Sequence, residues 1–294
     1  MAGFRHRQQG IEMMQYICDR RLAFAFAAGL GAAVMTPDAQ AVPIDPALSI
    51  IGEVFYDAAF AADPLDNFGP VTQTGDISKV EGGVAVGTPF SGALVGPGPN
   101  PLPGTLTDIG DGFGMHADID AIETSEFQLA IDLTLDLENT SPTDTFKVTV
   151  KVMFSNSAAS SGADAFSDSE FTLDDSGGEF FFTDVVSDTL FGNEIGGVPT
   201  GEFGGLVSDA GMASFDFILL PLAMETILGE LVIDGGVFAP GAATADFEAF
   251  VGIEAIMNLT RPVQVPEPGS LVLLGSGLLG LGLVRRRRMP QQQV

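Results

Sequence analysis

Glu126-Phe127-Gln128-Leu129-Ala130-Ile131-Asp132-Leu133-Thr134-Leu135-Asp136-Leu137-Glu138 is the stretch that decides the fold. Odd positions from Phe127 to Leu137 are apolar. Even positions, Ala130 apart, are polar. A period of two held over this length describes a strand with one buried and one wet face. Asn139-Thr140-Ser141-Pro142-Thr143-Asp144 then reads as a turn. Beyond it Phe146, Val148, Val150, Val152 and Phe154 alternate with Thr145, Lys147, Thr149, Lys151 and Met153. The two runs are expected to form a β-hairpin. Lys147 and Lys151 would then face Asp132 or Asp136 across the ladder, a pairing worth up to ~1 kcal/mol.

Further strands are expected at 178–186, 212–220, 226–233 and 245–257, where Phe247, Ala249, Val251, Ile253, Ala255 and Met257 alternate with other residues. Residues 50–62 fit a short helix or a strand equally. Residues 81–114, with Gly96-Pro97-Gly98-Pro99-Asn100-Pro101-Leu102-Pro103-Gly104 at their centre, read as a long, exposed, mobile loop. Residues 155–168, rich in Ser, Ala and Asp, read as a second loop. No internal repeat and no amphipathic helix stands out. Many strands punctuated by Gly, Asp, Ser and Pro give an all-β domain over 42–264, an antiparallel β-sandwich of jelly-roll or Ig-like kind.

Both ends of the chain carry an address. Arg20 and Arg21 precede an apolar stretch from Leu22 to Met35, and Ala39-Gln40-Ala41 follows. A basic start, an apolar run of this length and an Ala-x-Ala site define a secretory signal peptide over 1–41, cut by signal peptidase after Ala41. The stretch is too short for a comfortable membrane span. Arg20-Arg21 lacks the residues that would complete a twin-arginine motif. Cys18 precedes the apolar run, so it does not mark a lipoprotein.

At the other end, Val265-Pro266-Glu267-Pro268 leads into an apolar run closed by Arg285-Arg286-Arg287-Arg288, with a tail over 289–294. Residues 270–284 span roughly 22 Å as a helix, short of the ~30 Å hydrocarbon core. Every face of that helix is Leu, Val or Gly, which calls for lipid or the centre of a large protein. The arginines can snorkel to extend it, and they hold their end cytoplasmic. This order of motif, short transmembrane helix and basic stop cluster over 265–288 resembles the PEP-CTERM sorting domain. The resemblance implies a Gram-negative host and recognition of Pro266-Glu267-Pro268 by an exosortase, a membrane transpeptidase-like enzyme. It also implies passage through the inner membrane to the cell surface or an exopolysaccharide matrix.

The exported stretch is strongly acidic. Only Glu12, Asp19 and Asp38 of the 39 acidic residues precede residue 42. The other 36 meet Lys79, Lys147, Lys151 and Arg261 in the stretch 42–268, a net of −32. Such a surface excludes nucleic acid and repels anionic membranes and polysaccharides unless divalent cations intervene. Once Cys18 leaves with the signal peptide no cysteine remains, so the domain relies on its core rather than on disulfides. Trp is absent, and Tyr56 is the one Tyr of the exported stretch. That leaves few rings of the kind on which sugars stack.

Catalytic motifs are scarce. His116 is the one His after residue 41, there is no Gly-x-Ser-x-Gly elbow, and thiol and multi-His metal chemistry lack their residues. His116 reads as a solvated loop residue. Acidic residues are so abundant that no pair of them marks a glycosidase. Two clusters have the oxygen ligands that calcium prefers. Asp108, Asp111, Asp118 and Asp120 surround Gly110, Gly112 and Gly114; Asp174, Asp175, Ser176 and Glu179 surround Gly177 and Gly178. Neither has EF-hand spacing, and acidic turns explain both better than a metal does. Asn139-Thr140-Ser141 and Asn258-Leu259-Thr260 match the glycosylation sequon by accident in a bacterial chain.

The expected function is that of an exported surface or extracellular-matrix protein without enzymatic activity or obligatory cofactor. It would be a structural or interaction component linked to exopolysaccharide or biofilm. A calcium-assisted glycan-binding module is the alternative, and a polysaccharide-active hydrolase comes third.

Overall fold

Period-two alternation becomes strand throughout the described part of the chain, residues 42–261 of a computed structural model. The signal peptide with Ala39 and Ala41, the Pro266-Glu267-Pro268 segment, Arg285–Arg288 and the tail lie outside the described residues. Among the described residues no helix is long and apolar enough to cross a membrane.

The first strands are β1 (Val42–Pro43), β2 (Leu48–Tyr56), β3 (Val71–Glu81), β4 (Val84–Ser91), β5 (Leu94–Val95), β6 (Leu102–Thr105), β7 (Asp108–Ile109) and β8 (Gly112–Ile122). Then come β9 (Ser125–Asn139), β10 (Phe146–Gly162), β11 (Ala165–Asp175), β12 (Gly178–Asp188), β13 (Glu194–Ile195) and β14 (Val198–Pro199). The last are β15 (Gly205–Leu219), β16 (Met224–Val237) and β17 (Gly241–Asn258). Fifteen of them build a seven-stranded sheet ordered β15-β10-β17-β8-β3-β4-β5 and an eight-stranded sheet ordered β14-β13-β12-β11-β16-β9-β2-β6, and β1 pairs with β7 in a separate two-stranded sheet. Every strand pair is antiparallel. The expected sandwich is therefore present.

The expected hairpin is not. β9 pairs with β16 and β2, whereas β10 pairs with β15 and β17 in the other sheet. Alternation tells which face of a strand is buried, not which strand lies beside it. Here the two apolar faces meet across the sandwich, and 140–145 carries the chain over the gap of about 10 Å. Asn139 fastens this corner. Its side-chain amide, fully buried, donates to the carbonyls of Asp144 (2.8 Å), Leu219 (3.1 Å) and Leu220 (2.8 Å). Lys147 accordingly binds Asp216 on β15, at 3.0 Å, and Lys151 stands 4.0 Å from Glu254 on β17. Neither faces Asp132 or Asp136.

Both expected loops are largely strand. Residues 84–105 contain β4, β5 and β6. Asn100 ties the Gly/Pro segment to β2: its Oδ1 accepts from the Tyr56 N–H and its amide donates to the Tyr56 carbonyl. Tyr56 stacks on Phe90 with ring centroids 3.8 Å apart, and its hydroxyl donates to the Gly92 carbonyl. Residues 155–168 complete β10 and begin β11. Their inward positions are Asn156, Ala158, Ser160 and Ser167, all buried, so the alternation there is of small and polar side chains. Hydrogen bonds supplement a small apolar cluster of Ala158, Val185 and Val207 between the sheets at this end. Asn156 donates to the Ser169 carbonyl at 2.7 Å, and the Ser160 and Ser187 hydroxyls meet at 2.9 Å. Residues 48–56 are strand, which resolves the undecided 50–62 segment in that direction.

The apolar core fills the rest of the space between the sheets. Phe113, Phe127, Phe146, Phe171 and Phe247 are fully buried, each contributing about 1.5–3 kcal/mol by burial. Phe171 anchors the centre, 5.3 Å from Phe247 and 5.9 Å from Phe181.

Candidate functional site

Charge divides the molecule by sheet. Among the described residues, Lys79 on β3, Lys147 and Lys151 on β10 and His116 on β8 all belong to the seven-stranded sheet. No strand of the eight-stranded sheet carries Lys, Arg or His. Its outward positions are acidic on four neighbouring strands. The register sets Asp132 opposite Glu230, Asp168 opposite Asp234 and Glu170 opposite Asp184. Like charges directly opposite one another destabilise a sheet. This face tolerates three such pairs side by side.

Proton retention relieves part of the repulsion. Burial, and then the charges of Asp184 and Asp234, push the Asp168 carboxyl up to about 8. Burial also raises Asp132, helped by Glu230; Glu170, helped by Asp184; and Asp234, helped by Glu126. Asp168 and Asp184 each have a buried Oδ1 without a hydrogen-bond partner. A proton held on Asp168 lies beside the Asp184 side chain, which it can reach as a donor. Such a pair can hold a proton at neutral pH or exchange it for a cation.

A second polar group lies on the outer face of the seven-stranded sheet. His116 is a strand residue, not a loop residue. Its Nδ1 is 3.7 Å from Asp76 on β3, and its Nε2 is 3.7 Å from Asp246 on β17. Glu248 is directly opposite it in the register. Its polar contact with Asp76 is the chief cause that raises the imidazole above its ordinary value, against burial, which lowers it. The site stabilises an imidazolium, which suits an ion pair rather than a nucleophile's base.

The proposed calcium ligands are dispersed. Asp111 is buried and committed: its two oxygens accept from the backbone N–H groups of Gly82, Gly83, Thr107 and Asp108. It clamps the β3–β4 turn to the β6–β7 connection. Asp108 takes a hydrogen bond from the Thr107 hydroxyl. Asp118 and Asp120 stand further along β8, opposite Thr74 and Thr72. Six or more extended residues, about 20 Å, separate them from the Asp111 turn. In the second cluster Asp175 caps its own turn by accepting from the Gly177 N–H at 2.6 Å, and Glu225 accepts from the Ser176 N–H. Asp174 and Glu179 face each other across the hairpin. Among the described residues no three metal-ligating side chains converge. Tyr56 is fully buried, so it is no platform for a sugar. A cleft of about 540 Å³ opens beside β2, β3 and β6, where Lys79 is held by Glu81 (2.6 Å) and the Pro103 carbonyl (2.7 Å).

The acidic face could not be read along the chain. Asp168 lay in an apparent loop, and the other carboxylates sat on strands whose partners were unknown. The one usable signal was acidic residues at outward positions of successive strands, as in Asp168-Ser169-Glu170.

The C-terminal sequence matches a family model described as the PEP-CTERM protein-sorting motif over residues 264–288. The chain carries a PEP-CTERM motif. A PEP-CTERM motif marks an exported cell-surface protein sorted by an exosortase, as the order of Pro266-Glu267-Pro268, apolar run and arginines implied. The match begins after the sandwich ends, and no curated protein matches the sequence. Among solved structures the chain is similar to one of infectious bursal disease virus Gx strain, at 11% identity over 79% of this chain and 72% of that one, with a TM-score of 0.12. The VP2 subviral particle of the same virus gives 10% identity over 78% and 71%, with a TM-score of 0.11. Scores this low carry no argument about the PEP-CTERM protein.

Proposed function

We propose that this chain is a non-enzymatic structural or interaction component of the cell surface or extracellular matrix, held among exopolysaccharide. The observation that carries this reading is the sorting motif at 264–288 joined to an acidic β-sandwich. The motif delivers the domain to the surface. The domain offers broad strand faces and no deep enclosed chamber among its described residues. Retention on the host's own exopolysaccharide tests the reading: the full chain is expected to be retained in chelator as well as in calcium. Turnover of that polysaccharide, lost in a single-carboxylate variant such as Asp168→Asn, would make the protein an enzyme and overturn it.

A calcium-assisted glycan-binding module is the second reading. The acidic face around Asp168, Asp184 and Asp234 favours it, since a divalent cation there could also bind an acidic sugar. Retention that vanishes in chelator and in Asp184→Asn would select this reading over the first.

A further inference from the structure

An unpaired sheet edge presents a row of backbone N–H and C=O groups that invites another strand. Three of this sandwich's four edges are blunted. β5 is two residues long, β14 is two residues ending in Pro199, and β6 is a four-residue strand containing Pro103. The fourth edge, β15, runs from Gly205 to Leu219 with β10 on one side and no strand on the other among the described residues. It contains neither Pro nor Lys, the residues that usually close an edge. Along it Leu206, Met212 and Ile218 are 68%, 70% and 52% exposed. Phe203 and Leu220, also exposed, extend the apolar strip at its two ends.

We propose that β15 pairs antiparallel with β15 of a second copy of this chain, about a two-fold axis at Met212, so that two seven-stranded sheets become one. The outward side chains of β15 are self-complementary in that register. Met212 faces Met212, Ala210 faces Ser214, Ser208 faces Asp216 and Leu206 faces Ile218. Apolar residues meet apolar ones, and no two carboxylates stand opposite. A two-fold contact requires this self-matching, because each residue's partner must also accept that residue. Shifting the register by two residues in either direction puts Met212 against Ala210 or Ser214 and breaks the Leu206–Ile218 match.

The charge on this edge is low for so acidic a chain. Two copies of a chain with 39 acidic and 12 basic residues repel. β15 carries two carboxylates, and one of them, Asp216, is paired with Lys147 at 3.0 Å. The adjoining β10 brings Lys151 beside Glu254. One carboxylate without an ion pair among the described residues, Asp209, is thus left on the unprotected edge itself. The pairing does not rest on the exopolysaccharide reading above, since it uses β15 alone.

Cross-linking and sedimentation of the full chain in detergent micelles test it. In a Cys18→Ser background, Met212→Cys is expected to oxidise to a covalent dimer, because antiparallel partners lie about 4.5–5.5 Å apart. Ser208→Cys is expected not to, because its copy is eight strand positions away. Met212→Lys sets two like charges on the axis and is expected to weaken the dimer about tenfold, with an unchanged melting midpoint at dilutions where the chain is monomeric and the site is exposed. A monomer at every concentration, a dimer indifferent to Met212→Lys, or equal cross-linking through residues 208 and 212 would overturn the pairing. Polysaccharide retention by the Met212→Lys monomer reports separately on the function proposed above.

Discussion

Asp168 shows how one residue acquires chemistry from neighbours that the chain order hides. In sequence it is one of many acids in a Ser-rich stretch. In the fold it is opposite Asp234 and beside Asp184, with burial as the main cause of its raised carboxyl. The sign of its effect on stability follows. An unfolded Asp loses its proton near pH 4, while the folded one keeps it up to about 8. Between those values the folded state binds more protons than the unfolded state, so stability falls as pH rises. Asp168→Asn keeps the shape and removes the ionisation. The variant should melt above the parent at pH 8, with the gap closing toward pH 4. Thermal unfolding followed by circular dichroism at both pH values checks this, and a gap independent of pH would place the strain elsewhere. Asp111 makes the contrasting case. It looked like a metal ligand because it is an acid among glycines. Its oxygens are instead consumed by four backbone N–H groups. An acid in a Gly-rich turn serves either purpose equally well, and only the direction of the nearby amides decides.

At the scale of elements, strand existence was legible and strand partnership was not. The alternation at 126–138 and 146–154 identified β9 and β10 because Leu, Ile, Val and Phe occupy every inward position. The same rule failed at 155–168, where inward positions hold Asn156, Ala158, Ser160 and Ser167. Polar inward residues, bonded across the gap through Asn156–Ser169 and Ser160–Ser187, look like a loop to any hydrophobicity count. The hairpin expectation failed for a different reason. A six-residue connection fits either a hairpin or a sheet-to-sheet corner, and the choice rests on Asn139. Its amide is the donor for three carbonyls from two separate segments. Asn139→Ala leaves those carbonyls without it and should cost about 2–4 kcal/mol. Asn139→Asp should cost at least as much at neutral pH, because a carboxylate has no proton to donate and faces three carbonyl oxygens. Urea denaturation of both variants measures this; a loss under about 0.5 kcal/mol in either would mean the corner holds without the clasp.

At the scale of the whole molecule, the acidic domain and the C-terminal tail make opposite demands on location. A stretch of net −32 is repelled by the anionic lipids of the inner membrane and by acidic polysaccharide. It is soluble wherever its tether releases it. Arg285 to Arg288 are expected to pull the other way, toward the cytoplasmic side of the membrane. Delivery therefore depends on cutting the chain between these two parts, at or near the motif matched over 264–288. Glu267→Gln, or Pro266→Ala with Pro268→Ala, leaves the acidic domain, the apolar run and the arginines intact while altering what the exosortase reads. The expected outcome is an uncleaved chain in the inner-membrane fraction, with the parent protein recovered at the surface or in the medium. Fractionation and the mass of the C-terminal peptide distinguish them. If the variants are cut and released like the parent, the tripeptide is not the recognition element, and the apolar run with its arginines acts as an anchor alone.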